Sequence, residues 1–127
     1  MYLEDLSPRS SAEDDNEMVS VGWLDSFHAF PTGRTSPPFR WRLRTLAIHP
    51  LNPSKGSHAC DFCGKAWGGG AFVFEGPSRS YFCPEMITHY VDEHDYLPPA
   101  EFVEAVMSKP KTFFLDMYRN ASRGLLD

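Results

Sequence analysis

The sequence lacks any long apolar run, and none of its segments approaches the roughly 18 apolar residues that cross a bilayer. Eleven prolines and nine glycines in 127 residues are too few for a low-complexity or collagen-like chain. These absences exclude a membrane-spanning protein and a fibrous protein. A chain of this length fills one hydrophobic core, so we expect a single small globular domain.

A secretory signal is also missing from the first residues. Residues 1–6 are partly acidic and contain neither a basic segment nor a long apolar one. We therefore expect a cytoplasmic protein. The chain has only three cysteines, which cannot all pair, and in a reducing compartment two cysteines in a Cys-x-x-Cys motif indicate a metal or redox site before a disulfide.

Basic charge is scarce overall, with 12 Lys and Arg against 17 Asp and Glu and a net charge of -5. Residues 1–17 hold six acids and one base, and six minus one accounts for the whole excess. We expect this segment to be a flexible acidic tail and residues 18–127 to form the domain. The domain is neutral overall, so it has no general attraction for polyanions.

Short strands and helices alternate along the chain, which predicts an α+β fold. Apolar runs beside turn residues predict a strand over 18–23 and a β-hairpin of 71–75 and 80–82 around a turn at 76–79. Helical spacing predicts helices over 84–94, 99–107 and 113–118. Residues 39–47 fit two patterns, because Ser36 and two prolines favour a helix while apolar residues alternate with arginines as in a strand.

The strongest chemical signal combines Cys60-x-x-Cys63 with His89-x4-His94. A Cys-x-x-Cys turn brings two thiolates close together, and Gly64 lets the backbone fold back toward both sulfur atoms. Two histidines at this spacing on a helix lie on neighbouring turns. Cys60, Cys63, His89 and His94 are therefore predicted to hold one structural zinc ion.

Other ligand sets stay open at this point. His58 precedes the cysteine pair by two residues and could replace His94, and Cys83 at the predicted helix start is a second competitor. A redox role for Cys60 and Cys63 is a further alternative, although the glycine-rich segment that follows does not offer the strand and helix of a thioredoxin-like motif.

The order of these ligands resembles a Cys2His2 zinc finger with a long insert between the cysteines and the histidines. The His-x-Cys-x-x-Cys motif at 58–63, followed by His-Tyr-x-x-x-His at 89–94, is also similar to small bacterial proteins of unassigned function. The resemblance covers about half the chain, including the segments 81–84 and 98–105. It supports the same four ligands and implies no known activity.

We therefore expect a small zinc-stabilised α+β domain. It contains the turn that carries Cys60 and Cys63, here called the knuckle, then the β-hairpin, the helix that follows it and additional C-terminal helices. A zinc ion held by four protein ligands has no open position for water, so we expect a non-catalytic module that binds a protein partner. An alternative is nucleic-acid binding through a stripe of arginine and aromatic side chains: Arg40, Trp41, Arg42 and Arg44. A zinc-dependent hydrolase using Asp92 or Glu93 as a base comes third. We expect no membrane partner.

Overall fold

The computed structural model describes residues 2–8, 17–48 and 58–124, and the side chains of His58 and of residues 121–124 are outside this description. Nine elements follow one another along these residues: β1 (Met18–Ser20), α1 (Pro37–Leu46), β2 (His58–Ala59), β3 (Trp67–Gly68), β4 (Ala71–Glu75), β5 (Ser80–Pro84), α2 (Ile87–His94), α3 (Ala100–Ser108) and α4 (Lys111–Gly124). The α+β prediction is confirmed.

The main sheet has three strands in the order β1-β5-β4. Strands β4 and β5 form the predicted antiparallel hairpin, in which Glu75 pairs with Ser80, and β1 runs parallel to β5. Strands β2 and β3 form a separate antiparallel pair. Strand β1 is shorter than predicted because Gly22 adopts a left-handed φ of 88°, and the indole of Trp23 then donates to the carbonyl oxygen of Phe82.

Helix α1 shows that the helical pattern of residues 39–47 prevails over the strand pattern. The Ser36 side chain caps its first turn by accepting a hydrogen bond from the Phe39 amide, and prolines occupy the first positions. Helix α2 begins at Ile87, later than predicted, because Pro84 is the last residue of β5. It ends at His94, and the next residue, Asp95, caps the helix in the left-handed conformation.

The sheet and the helices enclose one cluster of buried apolar side chains. Aromatic residues from α1, β4, β5 and α3 meet edge to face in its centre, where Phe102 contacts Phe39, Phe74 and Tyr81. Helix α4 adds Phe114, which is fully buried and contacts Trp41. This core fixes the positions of α2 and of the chain segments on either side of it.

The first described residues lie against the domain. The carboxylate of Asp5 accepts hydrogen bonds from the Gly22 amide at 3.0 Å and from the buried Tyr96 hydroxyl at 2.7 Å. These contacts, with those of the Leu3 and Leu6 amides to the carbonyl oxygens of Trp23 and Ser20, place residues 2–8 against the domain. The flexible tail over 1–17 stays a prediction. Residues 9–16 lie outside the described part of the chain.

None of the helices in the described ranges combines the length and the apolar character that a membrane crossing requires. The cytoplasmic location stays a prediction.

Candidate metal centre

The two cysteines of the knuckle lie at a tight turn between β2 and β3. The Cys60 amide donates to the Ala66 carbonyl at 2.8 Å, and the Gly64 amide donates to the Cys60 carbonyl at 2.9 Å. Gly64 has a φ of 67°, so the turn uses the left-handed conformation that glycine adopts without strain. The sequence is thus suited to fold back on itself here, as predicted.

Backbone amides point at both sulfur atoms. The Phe62 amide lies 3.4 Å from Cys60 Sγ, and the Lys65 amide lies 3.5 Å from Cys63 Sγ. The turn thus places one backbone donor beside each sulfur atom.

The two histidines come from α2, and His94 is its last residue. Phe62 from the knuckle packs against the rings of Tyr90 and His94, at centroid distances of 5.7 and 5.2 Å. This aromatic contact holds the knuckle beside the helix and limits the orientations of the His94 ring. Partial burial and the nearby His89 lower the pKa of His94, which favours the neutral imidazole that acts as a metal ligand.

The four side chains converge on one point. Cys60 Sγ lies 3.5 Å from His94 Nε2, and Cys63 Sγ lies 3.3 Å from His89 Nε2. The two Nε2 atoms are 3.2 Å apart, and all four ligand atoms lie within 4.8 Å of one another. The four residues are close enough to hold a metal ion.

Three of the six separations among the ligand atoms are those expected around a tetrahedral zinc ion. Zinc–sulfur bonds of about 2.3 Å and zinc–nitrogen bonds of about 2.0 Å at tetrahedral angles place sulfur about 3.5 Å from nitrogen and the two nitrogens about 3.3 Å apart. The Cys60–His94, Cys63–His89 and His89–His94 distances agree with these values to within about 0.2 Å. Two sulfur and two nitrogen donors are also a set that zinc commonly binds.

The two alternative ligands have different outcomes. Cys83 is fully buried in β5 and is not a member of the cluster, and burial raises the pKa of its thiol well above the ordinary value. A protonated, buried thiol behaves as a small apolar side chain. His58 begins β2, but its side chain lies outside the described residues.

The arginines of the predicted stripe lie on helix α1, which places Arg40 and Arg44 on one side, four residues apart, and turns Arg42 to the opposite side. Arg42 donates to the carbonyl oxygens of Val106 and Lys109 at the end of α3, at 3.2 and 2.6 Å. Arg40 donates to the carbonyl oxygen of Thr35. Trp41 is partly buried against the core.

Arg44 differs from the other two arginines of the predicted stripe. It reaches Asp92 at 3.5 Å, and 56% of its side chain is exposed. Arg42 therefore lies apart from Arg40 and Arg44 on the helix, and nucleic-acid binding stays a prediction.

Glu85 has a role that the sequence analysis missed. One carboxylate oxygen of Glu85 accepts hydrogen bonds from the amides of Gly69 and Gly70, at 2.7 and 2.9 Å, and so ties the glycine-rich segment to the start of α2. A Cβ atom on Gly68 would lie 2.9 Å from the same oxygen, so the backbone approaches closely here. The signals available in the sequence were the three consecutive glycines at 68–70 and the acidic residue at the start of a predicted helix.

Fold and cluster together define a small α+β protein with a Cys2His2-like metal centre. The chain belongs to the family described as a domain of unknown function, DUF7919, which matches residues 1–107. The match includes all four residues of the cluster and ends within α3, before α4. Comparison with curated proteins and with solved structures found no match.

Proposed function

We propose that this protein is a non-catalytic interaction module whose fold depends on one structural zinc ion held by Cys60, Cys63, His89 and His94. The observation that carries the proposal is the agreement of the sulfur–nitrogen and nitrogen–nitrogen distances with a tetrahedral shell. The chemistry of the donors supports zinc over magnesium or calcium, which bind oxygen ligands.

The zinc ion would connect two parts of the fold that share few other contacts. Cys60 and Cys63 lie on the knuckle, whereas His89 and His94 lie on α2, and the described contacts between these parts are chiefly those of Phe62 with Tyr90 and His94. A metal bound by all four residues is a cross-link whose binding free energy, about 10–16 kcal/mol for structural zinc, stabilises the joined arrangement.

A catalytic role has less support than a structural one. Four protein donors complete a tetrahedral shell, whereas a zinc hydrolase keeps one position for water. Asp92, one of the two predicted bases, pairs with Arg44, and both Asp92 and Glu93 point away from the buried side of α2 as exposed residues. The proposed module therefore acts by presenting a surface to a protein partner.

The experiment that tests the proposal is the zinc content per chain, measured by elemental analysis on protein purified without added chelator. The wild type should carry one zinc per chain, and Cys60→Ser and His89→Ala should each lose most of it. Cys83→Ser and His28→Ala are matched controls, because they remove a cysteine and a histidine outside the cluster, and both should keep the zinc. A wild type without zinc, or controls that lose it equally, would contradict the proposal.

A further inference from the structure

A groove of about 300 Å³ lies directly beside the candidate metal centre. It is lined by Arg44 of α1 and Ile48 just after it, by Trp67 of β3, and by Met86 and His89 at the start of and within α2. His89 also belongs to the cluster, so the groove and the candidate metal centre share α2.

Trp67 is the most prominent side chain of the groove. Trp67 is 66% exposed although it belongs to a strand, and Ile48, which also lines the groove, is 38% exposed. The backbone that carries Trp67 is fixed, because Ala59 pairs with it and Glu85 holds the glycines that follow. An exposed tryptophan on a fixed backbone is a typical anchor of a protein interface, since it buries a large area at little cost in conformational entropy.

Arg44 gives the groove a contact for a carboxylate of a partner. Glu85, the acid among the described lining residues, accepts two amide hydrogen bonds within the fold. Arg44 has an ion-pair contact with Asp92 at 3.5 Å and remains mostly exposed, unlike Arg40 and Arg42 on the same helix. Among the described residues Asp92 is the one acid in contact with Arg44, so a carboxylate of a bound chain can pair with the remaining donors of its guanidinium.

We propose that this groove binds a short segment of another protein that carries an aliphatic or aromatic residue close to an acidic one. The apolar side chain packs between Trp67 and Ile48, and the carboxylate pairs with Arg44. The inference rests on the proposed function, because the metal holds the knuckle that carries Trp67 against α2.

The test is selection of phage-displayed random peptides on the zinc-loaded protein, followed by calorimetric titration of the enriched peptides. The expected enrichment is an apolar residue within a few positions of Asp or Glu. Binding should weaken about tenfold or more in Trp67→Ala and in Arg44→Gln, as expected for interface anchors. It should also be lost when a chelator removes the metal.

Two residues of α4 provide matched controls. Tyr118 is an exposed aromatic residue like Trp67, and Arg119 is an exposed arginine 3.9 Å from an acid, Asp116, like Arg44. Tyr118→Ala and Arg119→Gln should leave peptide binding unchanged. Circular dichroism and zinc content of every variant separate a lost contact from a lost fold.

Several results would overturn the inference. These are the absence of any enriched sequence, equal binding to Trp67→Ala, and binding of oligothymidine at Trp67 and Arg44 in preference to the peptides. If the wild type binds peptides at Trp67 but contains no zinc, the proposed function fails while the groove stands. If it contains zinc but binds no peptide there, the groove fails while the zinc site stands.

Discussion

Cys63 Sγ and His89 Nε2 lie 3.3 Å apart although 26 positions separate the two residues in the sequence. The contact joins the knuckle to α2 at the margin of the hydrophobic core, where, of the described side chains at 59–66, Cys60 is buried and Phe62 and Ala66 are partly buried against the core. The stability of this region should therefore depend on the metal more than that of the sheet does.

Metal removal should loosen the knuckle and leave the main sheet folded. Without the ion the knuckle loses its cross-link to α2, so the hydrogen bonds of the Cys60 and Gly64 amides should open more often. Hydrogen exchange of residues 58–70 should accelerate at least about tenfold on chelation. The amides of β4 and β5 should stay protected because Phe74 and Tyr81 are buried in the core. Unchanged exchange in the knuckle would contradict this account.

Arg42→Met should destabilise the protein, because the Arg42 guanidinium donates to carbonyl oxygens at the end of α3 and lies 4.8 Å from the centre of the Phe114 ring. Methionine keeps the apolar stem but removes the donors, so the free energy of unfolding should fall by about 2 kcal/mol. Arg44→Gln on the same helix should change it by less than about 0.5 kcal/mol, since its exposed ion pair is weak. Urea denaturation measures both, and equal effects would show that Arg42 has no special role.

Two glycines with left-handed backbones should respond differently to alanine. A Cβ atom on Gly22 would lie 2.7 Å from Ile87 side-chain atoms, whereas a Cβ on Gly64 meets nothing within 4 Å. Both substitutions introduce left-handed strain of about 1–2 kcal/mol. Gly22→Ala should cost about 2 kcal/mol more, because Ile87 must move within the core. Thermal unfolding of the two variants tests this, and similar melting temperatures would refute the close contact.

Acid should weaken the network around Glu101. Arg79 donates to both carboxylate oxygens of Glu101, and this hydrogen-bonded pair holds the pKa of Glu101 below its ordinary value of 4.5. The unfolded chain takes up the proton first as the pH falls, so ionised Glu101 stabilises the folded chain above pH 4.5 and this contribution is lost below it.

Glu101→Gln should therefore be less stable than the wild type near neutral pH, and the difference should shrink as the pH falls through the lowered pKa. The difference should stay below about 1 kcal/mol, because the carboxylate is partly exposed. Denaturation curves of both proteins, measured at neutral pH and again well below pH 4.5, provide the comparison. The exposed Glu104 on the same helix is the control position, and Glu104→Gln should show no such pH dependence.

Local signals explain which parts of the fold could be predicted. The Ser36 cap, the turn at 76–79 and the Cys-x-x-Cys motif each act over a few residues. The start of helix α1, the hairpin and the knuckle therefore depend on short stretches of sequence. The choice of Cys60, Cys63, His89 and His94 combined two such local spacings.

Contacts between distant residues could not be predicted in this way. Asp5 and Tyr96 are 91 positions apart, and Arg42 is 67 positions from Lys109, so neither pairing leaves a periodic pattern. A flexible tail was predicted over residues 1–17 from their acidic composition. Composition does not show that the Asp5 carboxylate accepts a hydrogen bond from the buried Tyr96 hydroxyl. The sequence left the conformation of residues 39–47 open, because alternation over a few residues fits a strand and a helix equally well.

The most direct test of the central claim is X-ray absorption at the zinc edge on the purified wild type. The account predicts one zinc with two sulfur atoms at about 2.3 Å and two imidazole nitrogens at about 2.0 Å. A shell that contains a water oxygen in place of a nitrogen would contradict a closed structural site and favour hydrolytic chemistry. A protein without zinc would show that the four side chains converge for another reason.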